Sequence, residues 1–523
     1  MQTLAQRIIH WAAVQPEKLA VDDGTQAITY KELAHQAGSL AARLQSNGVT
    51  SGDRVVLLLP KSTTAVCAII AVLSLGAAYI PADPDAPKQR LQSIVDDSEP
   101  KAIICSNHTA DWFNTLCTIN IDASIDAFTD NAQAHLTSLE GNAEHDAYIL
   151  YTSGSTGVPN GVRISHRAML AFFQAVNTYM GVNQQSRCMN TSALYFDVSI
   201  ADLLLPLYMG ASVWLGPTVP LPFRFIGLIT NQKITHFCAV GSTLTMLAAL
   251  PNFDKNNWPH LQTIMTGAEV LNPNTINAWL NCSPNATVLN GYGPTETTCV
   301  CTLFQINHEN IHQYSSFPIG VPLPLVDAII EINSDKNSDE KSDEPGIGEL
   351  CIGGPQVMNG YLNRELLNDA RLTRINHATY YRTGDKVRRD HNGNLIFLGR
   401  IDDQVKVNSY RVDLGDIAEP FRSQSIVQDA VALVVKHTTY GECLAVVVKT
   451  RNEGENLESL LNQAAQALPH YMRPALIASI DAMPLSPSGK VNAKKVRALA
   501  NQHFLECNER YSHISAHIEE HAL

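Results

Sequence analysis

The sequence predicts an α/β fold: a large N-terminal domain of mixed α/β sheets with a β-rich subdomain, followed by a small C-terminal α+β domain. Three observations predict it. Short apolar runs of strand length alternate with helix-length segments through the N-terminal part. Strand-like runs joined only by turns follow. The strand and helix alternation then restarts after Gly399-Arg400-Ile401-Asp402. At 523 residues the chain is too long for one core. The expected division is residues 1–400 as the core domain, 401–404 as a hinge and 405–523 as the C-terminal domain.

In chain order, Arg54 to Leu59 reads as a buried strand, Ser62 to Leu75 as a helix, and Ala77 to Ile80 and Lys101 to Cys105 as further strands. The pattern points to a mostly parallel sheet. It continues through Ala147 to Tyr151, Val213 to Leu215, Ile234 to Ala239 and Thr263 to Met265. Asn333 to Pro345 is polar and nearly repetitive, and reads as a solvated loop. Gly348 to Ile352 and Leu395 to Leu398 are the short strands of the β-rich subdomain. The last domain reads as strand Gln404 to Val407, a helix near Asp416 to Ser423, strands Ala430 to Val435 and Leu444 to Lys449, and helix Leu457 to Ala467.

Composition narrows the function classes. Apolar residues make up 45% and charged residues 17%, which supports large cores and excludes a disordered chain. A net charge of -13 argues against nucleic acid as a partner, because phosphate backbones need clustered Lys and Arg. The 11 cysteines include no CxxC pair and read as free thiols in a reducing, cytoplasmic setting. Thr64 to Ile80 is the only apolar stretch near membrane length, but Ser74 and Gly76 interrupt it and it ends at Pro81-Ala82-Asp83. A buried helix running into a strand is expected there, not a membrane span. His513, His517 and His521 have the spacing of metal ligands on one helical face, although a terminal helix without metal is the plainer expectation.

The strand Ala147 to Tyr151 runs into Thr152-Ser153-Gly154-Ser155-Thr156-Gly157-Val158-Pro159-Asn160-Gly161. Glycines let such a loop turn tightly and aim N–H groups at an anion, and hydroxyls add donors for phosphate oxygens. It lacks the Gly-Lys-Ser/Thr of the Walker loop.

This loop resembles the signature of the acyl-adenylate-forming (ANL) superfamily, which includes acyl-CoA synthetases, luciferases and the adenylation domains of nonribosomal peptide synthetases. Other segments follow in that family's order. Thr29 to Leu33 and Leu75 to Pro81 are similar to its early motifs, and Phe196-Asp197-Val198-Ser199 to its substrate motif. Asn290-Gly291-Tyr292-Gly293-Pro294-Thr295-Glu296 is similar to the nucleotide motif. Gly348-Glu349-Leu350 and Gly360-Tyr361-Leu362 are similar to a structural segment, and Tyr381 to Asp385 to the ribose motif. Gly399 to Lys406 is similar to the hinge, and Leu468 to Met472 and Ser488 to Val491 to the last two motifs.

The resemblance implies a free-standing amino-acid adenylation domain. ATP and Mg2+ are implied as cofactors, an amino acid as substrate, and a separate carrier protein bearing phosphopantetheine as partner. Thr152, Ser153, Gly154, Ser155, Thr156 and Gly157 are implied to cradle phosphate. Asn290, Gly291 and Tyr292 are implied at adenine, Thr295 at the α-phosphate, and Glu296 at Mg2+. Asp385, expected in a Thr-Gly-Asp turn, is implied to hold the ribose, assisted by Arg400. Lys490 of the mobile small domain is implied to act in catalysis, with Asp402 as the hinge.

Asp197 is expected to be a buried carboxylate that needs a cation or several donors; the resemblance assigns it the substrate α-ammonium. The implied pocket is Asp197, Val198, Ala201, Cys238, Met265, Gly267, Gly291, Cys299 and Val300. Apart from Asp197 these are small or apolar, and Ala201, Gly267 and Gly291 are expected to leave room. The expected substrate is a neutral, mainly apolar amino acid. The chain departs from the pattern at Asn160, where lysine is usual, and at Asn408-Ser409, where a basic residue and glycine are usual. Two alternatives stay open: a ligase passing the acyl group to coenzyme A or an amine, and a non-catalytic nucleotide-binding regulatory protein.

Overall fold

Ser62 starts the first helix of the buried α/β layer. Its extended backbone lets the side chain accept the Ala65 amide at 3.2 Å, and the helix Thr63–Ser74 that follows is buried at every position but Thr64, with all but its ends apolar. Segments of this kind organise the computed structural model. It describes residues 2–106, 112–113, 118–120, 136–138, 142–152, 159–217, 221–332, 346–401, 404–407, 410–437, 441–451, 457–484, 491–504 and 510–514. The chain divides into two compact units: residues 1–84, 94–151 and 161–401, and residues 85–93, 152–160 and 402–523.

The first unit holds two large sheets, as the expected mixed α/β sheets require. A nine-stranded sheet runs Val321–Pro322, Thr302–Ile306, Thr287–Tyr292, Thr263–Gly267, His236–Cys238, Arg187–Asn190, Ser212–Leu215, Leu19–Asp22, Ala27–Thr29. Its six central strands are parallel, and the outer ones antiparallel. A seven-stranded sheet runs Gly360–Tyr361, Asn160–Ser165, Asp146–Thr152, Ala78–Pro81, Arg54–Leu58, Ala102–Cys105, Thr118–Asn120. One apolar core joins Leu57, Tyr79, Tyr148 and Leu150 of this sheet to Val213, Cys238, Met265 and Leu289 of the nine-stranded one.

The β-rich part is a five-stranded antiparallel sheet. Ala378–Arg389 pairs with Gly348–Gly353, Leu372–Ile375 and Leu395–Arg400, and Asp327–Glu331 forms the far edge. The sequence placed Asp385 in a turn; it lies inside the twelve-residue strand instead. The turn chemistry survives as a bulge. Glu349 pairs with Lys386 but Cys351 with Arg382, and Gly384 takes φ +71 between them.

In the second unit, the strands Val427–His437, Gly441–Thr450, Leu476–Ile480 and Tyr511–Ile514 form one sheet. Strand alternation splits its apolar residues between two faces. Val446 and Val448 pack with Phe421 and Leu461 of the helices Leu414–Arg422 and Leu457–Gln466. Ala445 and Val447 pack with Val496 and Phe504 of the helix Ala493–Phe504. His513 stands on the last strand, which corrects the helical expectation, because Tyr511–Ile514 pairs in parallel with Leu476–Ile480. His517 and His521 lie outside the described residues, as does the 333–345 loop.

No helix among the described residues is long and apolar enough to cross a membrane. All nine described cysteines are buried.

His236 supplies a pH-dependent term. It is 1% exposed, with Nε2 donating to the Met180 carbonyl at 3.0 Å and Nδ1 facing the Thr235 hydroxyl at 2.7 Å. Burial depresses it to about 4. Above its ordinary value near 6.5 both folded and unfolded chains are neutral. Between there and about 4, only the unfolded chain takes the proton, so stability falls as pH falls through that window. The loss is roughly 3 kcal/mol. Chemical denaturation of His236→Gln against the parent should show the parent losing stability relative to the variant from pH 6.5 downwards. A parallel pair of pH profiles would refute this.

Candidate active site

The strands carrying the expected pocket residues run side by side. Cys238 ends His236–Cys238, Met265 and Gly267 lie on Thr263–Gly267, and Asn290, Gly291 and Tyr292 end Thr287–Tyr292. Cys238 pairs with Met265, and Gly267 with Gly291, in parallel register. Ligands of α/β sheets bind at such carboxyl ends. The glycines there do not leave room, as the sequence suggested. A Cβ on Gly267 would stand 2.1 Å from the Gly291 carbonyl oxygen, and one on Gly291 would press on Val300 at 3.1 Å. These positions are small because backbone and Val300 already fill the space. Burial pushes the Cys238 and Cys299 thiols well above their ordinary range, so both are protonated, weakly polar wall groups.

Asp197 and Val198 are half-buried, short of the full burial expected for Asp197. They lead into a π-helical turn, Ile200–Leu204, whose first backbone amide donates to the Asp197 carbonyl at 2.9 Å and which carries the buried Ala201. A second carboxylate, Asp202, is 2% exposed and supplied with its own donors: Asn190 Nδ2 at 2.6 Å and the Thr191 amide at 2.9 Å. Lys61 Nζ donates to the Ser192 carbonyl at 3.2 Å from the other side. Burial raises Asp202 to about 6 and lowers Lys61 to about 8. Asp202 thus braces the segment before the turn, and Asp197 is the more exposed carboxylate.

The nucleotide motif converges on this turn. Thr295 Oγ1 donates to Asp197 Oδ2 at 2.6 Å, across 98 residues of sequence. The neighbouring Glu296 is 2% exposed; its Oε1 accepts the Tyr361 hydroxyl at 2.6 Å, and Tyr361 meets the Tyr381 hydroxyl at 3.2 Å. Mg2+ at phosphate sites takes one or two carboxylates and completes its octahedron with phosphate oxygens and water. One pre-oriented carboxylate fits that donor set. Among the described residues no three His, Cys, Asp or Glu side chains group as a metal cage, so the other ligands would be substrate and water oxygens.

Asp385 is 5% exposed at the strand bulge. Its carboxylate accepts the Tyr292 hydroxyl on one oxygen and Arg400 Nη1, at 2.5 Å, on the other. Arg400 also donates to the Thr383 carbonyl at 3.2 Å. Burial, with the Asp385 charge next, holds the Tyr292 phenol protonated far above its ordinary range. Asn290 is buried, with its amide on the Pro318 carbonyl at 2.8 Å, where it anchors the strand end. Thr152 ends the strand Asp146–Thr152. Ser153, Gly154, Ser155, Thr156, Gly157, Asp402, Asn408, Ser409 and Lys490 lie outside the described residues.

Three contributors escaped the sequence reading of the site. Tyr361 and Tyr381 were legible only as motif members. Tyr148 sits fully buried in the same core as Ala201, Cys238, Met265, Cys299 and Val300, and its hydroxyl finds no hydrogen-bond partner among the described residues; the Thr298 hydroxyl beside it donates to the Gln356 backbone carbonyl. Burial, then Tyr79, Asp197 and Cys299, raise its phenol. A tyrosine in an apolar strand gives no sign of such a position.

Comparison with known proteins places this geometry in context. The family model described as AMP-binding enzyme matches residues 8–362. Surfactin synthase subunit 2 of Bacillus subtilis (strain 168) is 32% identical over 486 residues, covering 91% of this chain but only 13% of that far longer protein. Among solved structures, holo-PA1221, an NRPS protein containing adenylation and PCP domains, superposes with a TM-score of 0.79 at 23% identity, covering 94% of this chain and 84% of that one. The amide bond synthetase McbA from Marinactinospora thermotolerans superposes with a TM-score of 0.82 at 21% identity, covering 95% and 99%. These two likenesses show a shared fold.

Proposed function

The chain belongs to the AMP-binding enzyme family, and on that premise we propose that it adenylates a neutral, mainly apolar amino acid with ATP and passes the aminoacyl group to a carrier-protein phosphopantetheine thiol. One observation carries the reading: Thr295 Oγ1 lies 2.6 Å from Asp197 Oδ2, so an ammonium anchor and a phosphate donor stand side by side. An acid held by its α-ammonium at Asp197 has its carboxylate carbon two bonds away, next to Thr295. Fatty and aryl acids have no ammonium for Asp197.

In this mechanism Asp197 binds the ammonium and Asp385 accepts the ribose hydroxyls. The single Thr295 proton serves Asp197 before substrate binds. The arriving ammonium takes that carboxylate over and releases the hydroxyl to the α-phosphate. The substrate carboxylate forms a bond to the α-phosphorus, and the bond to pyrophosphate breaks in line. Lys490 offsets the charge that builds on the phosphoryl oxygens, where stabilisation is chiefly electrostatic. Tyr361 holds Glu296 ready for Mg2+, which would neutralise the phosphates as pyrophosphate leaves. The thiolate then attacks the acyl carbon and AMP departs. Buried cysteine thiols support a reducing, cytoplasmic setting.

The test is ATP–pyrophosphate exchange over a panel of amino acids with the full chain. Exchange driven by apolar amino acids is expected. Preference for Asp, Glu, Lys or Arg would overturn the substrate class, and no exchange with any amino acid would overturn the function. Radiolabel transfer to a carrier protein, rather than to coenzyme A or amines, is expected for the second step.

A further inference from the structure

The loop joining the phosphate motif to the pocket wall is strained, and one buried side chain straddles the strain. After the short helical turn Thr295–Thr297, Thr298 takes φ 61 and Cys299 φ 73. Two successive left-handed residues without a glycine are uncommon, and a β-branched residue there is a clear outlier. Such a conformation persists only where its surroundings impose it.

Gln356 imposes it. The residue is 1% exposed. Its Nε2 donates to the Thr297 carbonyl at 3.2 Å on one side of the strained pair and to the Val300 carbonyl at 2.9 Å on the other. Its own carbonyl accepts the Thr298 hydroxyl at 2.7 Å. Its Oε1 finds no hydrogen-bond partner among the described residues, so the two N–H donors are what the side chain contributes here. Two residues on, the Met358 amide donates to the Glu296 carbonyl at 2.9 Å and ties the same segment to the loop's start. The loop ends on Cys299 and Val300, and Val300 presses on Gly291.

We propose that Gln356 is a positioning residue for amino-acid selectivity: it touches no substrate, but by pinning Thr298 and Cys299 in left-handed backbone it fixes where Cys299 and Val300 stand as pocket wall. The inference rests on the adenylation reading above. A wall that drifts by a fraction of an ångström changes which side chains fit, whereas the nucleotide contacts at Asp385 and Arg400 are anchored elsewhere.

The experiment compares Gln356→Met, which keeps length and volume but removes both donors, with the parent in amino-acid-dependent pyrophosphate exchange. Discrimination between the preferred amino acid and homologues one methylene larger or smaller should fall by about fivefold or more, out of the 10–200-fold that a methylene is worth. KM for ATP should change by less than about twofold, a split that general loss of stability does not produce. Gln356→Met/Thr298→Gly should recover part of the selectivity, because glycine takes positive φ without help. Gln356→Asn serves if Gln356→Met does not fold. A folded variant with parental selectivity overturns the role of Gln356 alone. A parent that exchanges with no amino acid overturns the adenylation reading and, with it, this inference.

Discussion

Asp197→Asn should lower amino-acid-dependent pyrophosphate exchange by roughly 10²–10³-fold, corresponding to about 3–4 kcal/mol for leaving the ammonium without its countercharge once bound substrate covers the half-buried carboxylate. The substitution keeps the shape and an oxygen for Thr295, so the fold and the Thr295 contact should survive. What disappears is the countercharge for the ammonium. The penalty therefore depends on the substrate. A des-amino acid of the same side chain, poor with the parent, should lose nothing with the variant. Kinetics for both acids with both proteins make a four-point cycle. An equal fall for the two acids would show that Asp197 supports the loop and does not read the ammonium.

Lys490→Ala should lower adenylation by roughly 10²–10³-fold, the loss typical for one electrostatic donor aimed at a charge that develops in the transition state. Thiol transfer from supplied aminoacyl-AMP should be largely spared, because no phosphoryl charge builds in that step. Single-turnover assays of the two half-reactions separate them. Near-parental exchange in the variant would remove Lys490 from the chemistry. The Pro487-Ser488-Gly489-Lys490 motif motivates this prediction, and the substitution tests the motif directly.

Much of the architecture was legible in local pattern. The helix expected from Ser62 is capped by Ser62, and the strand expected at Arg54 begins there, because burial selects apolar runs whose length reports the element. The C-terminal strands near Ala430 and Leu444 were legible for the same reason, although they extend to Val427–His437 and Gly441–Thr450. Which strands share which sheet was not legible, since apolar strands pair equally well with several partners. Asp385 was assigned to a turn because Gly-Asp is turn chemistry; pairing with Gly348–Gly353 converted that turn into a bulge.

By itself the sequence determined which residues were available for chemistry. Asp197, Thr295, Glu296, Asp385 and Arg400 are set by motif order, and their side-chain charges follow from composition. Tertiary structure alone decided who holds them. Tyr361 reaches Glu296 across 65 residues, Tyr292 reaches Asp385 across 93, and Gln356 reaches Val300 across 56. Contacts so far apart leave no mark on local periodicity, because they exist only once the sheets have brought those segments together. The same reason separates Gly267, which leaves no room, from the small pocket residue it looked like: the Gly291 carbonyl against it belongs to the neighbouring strand.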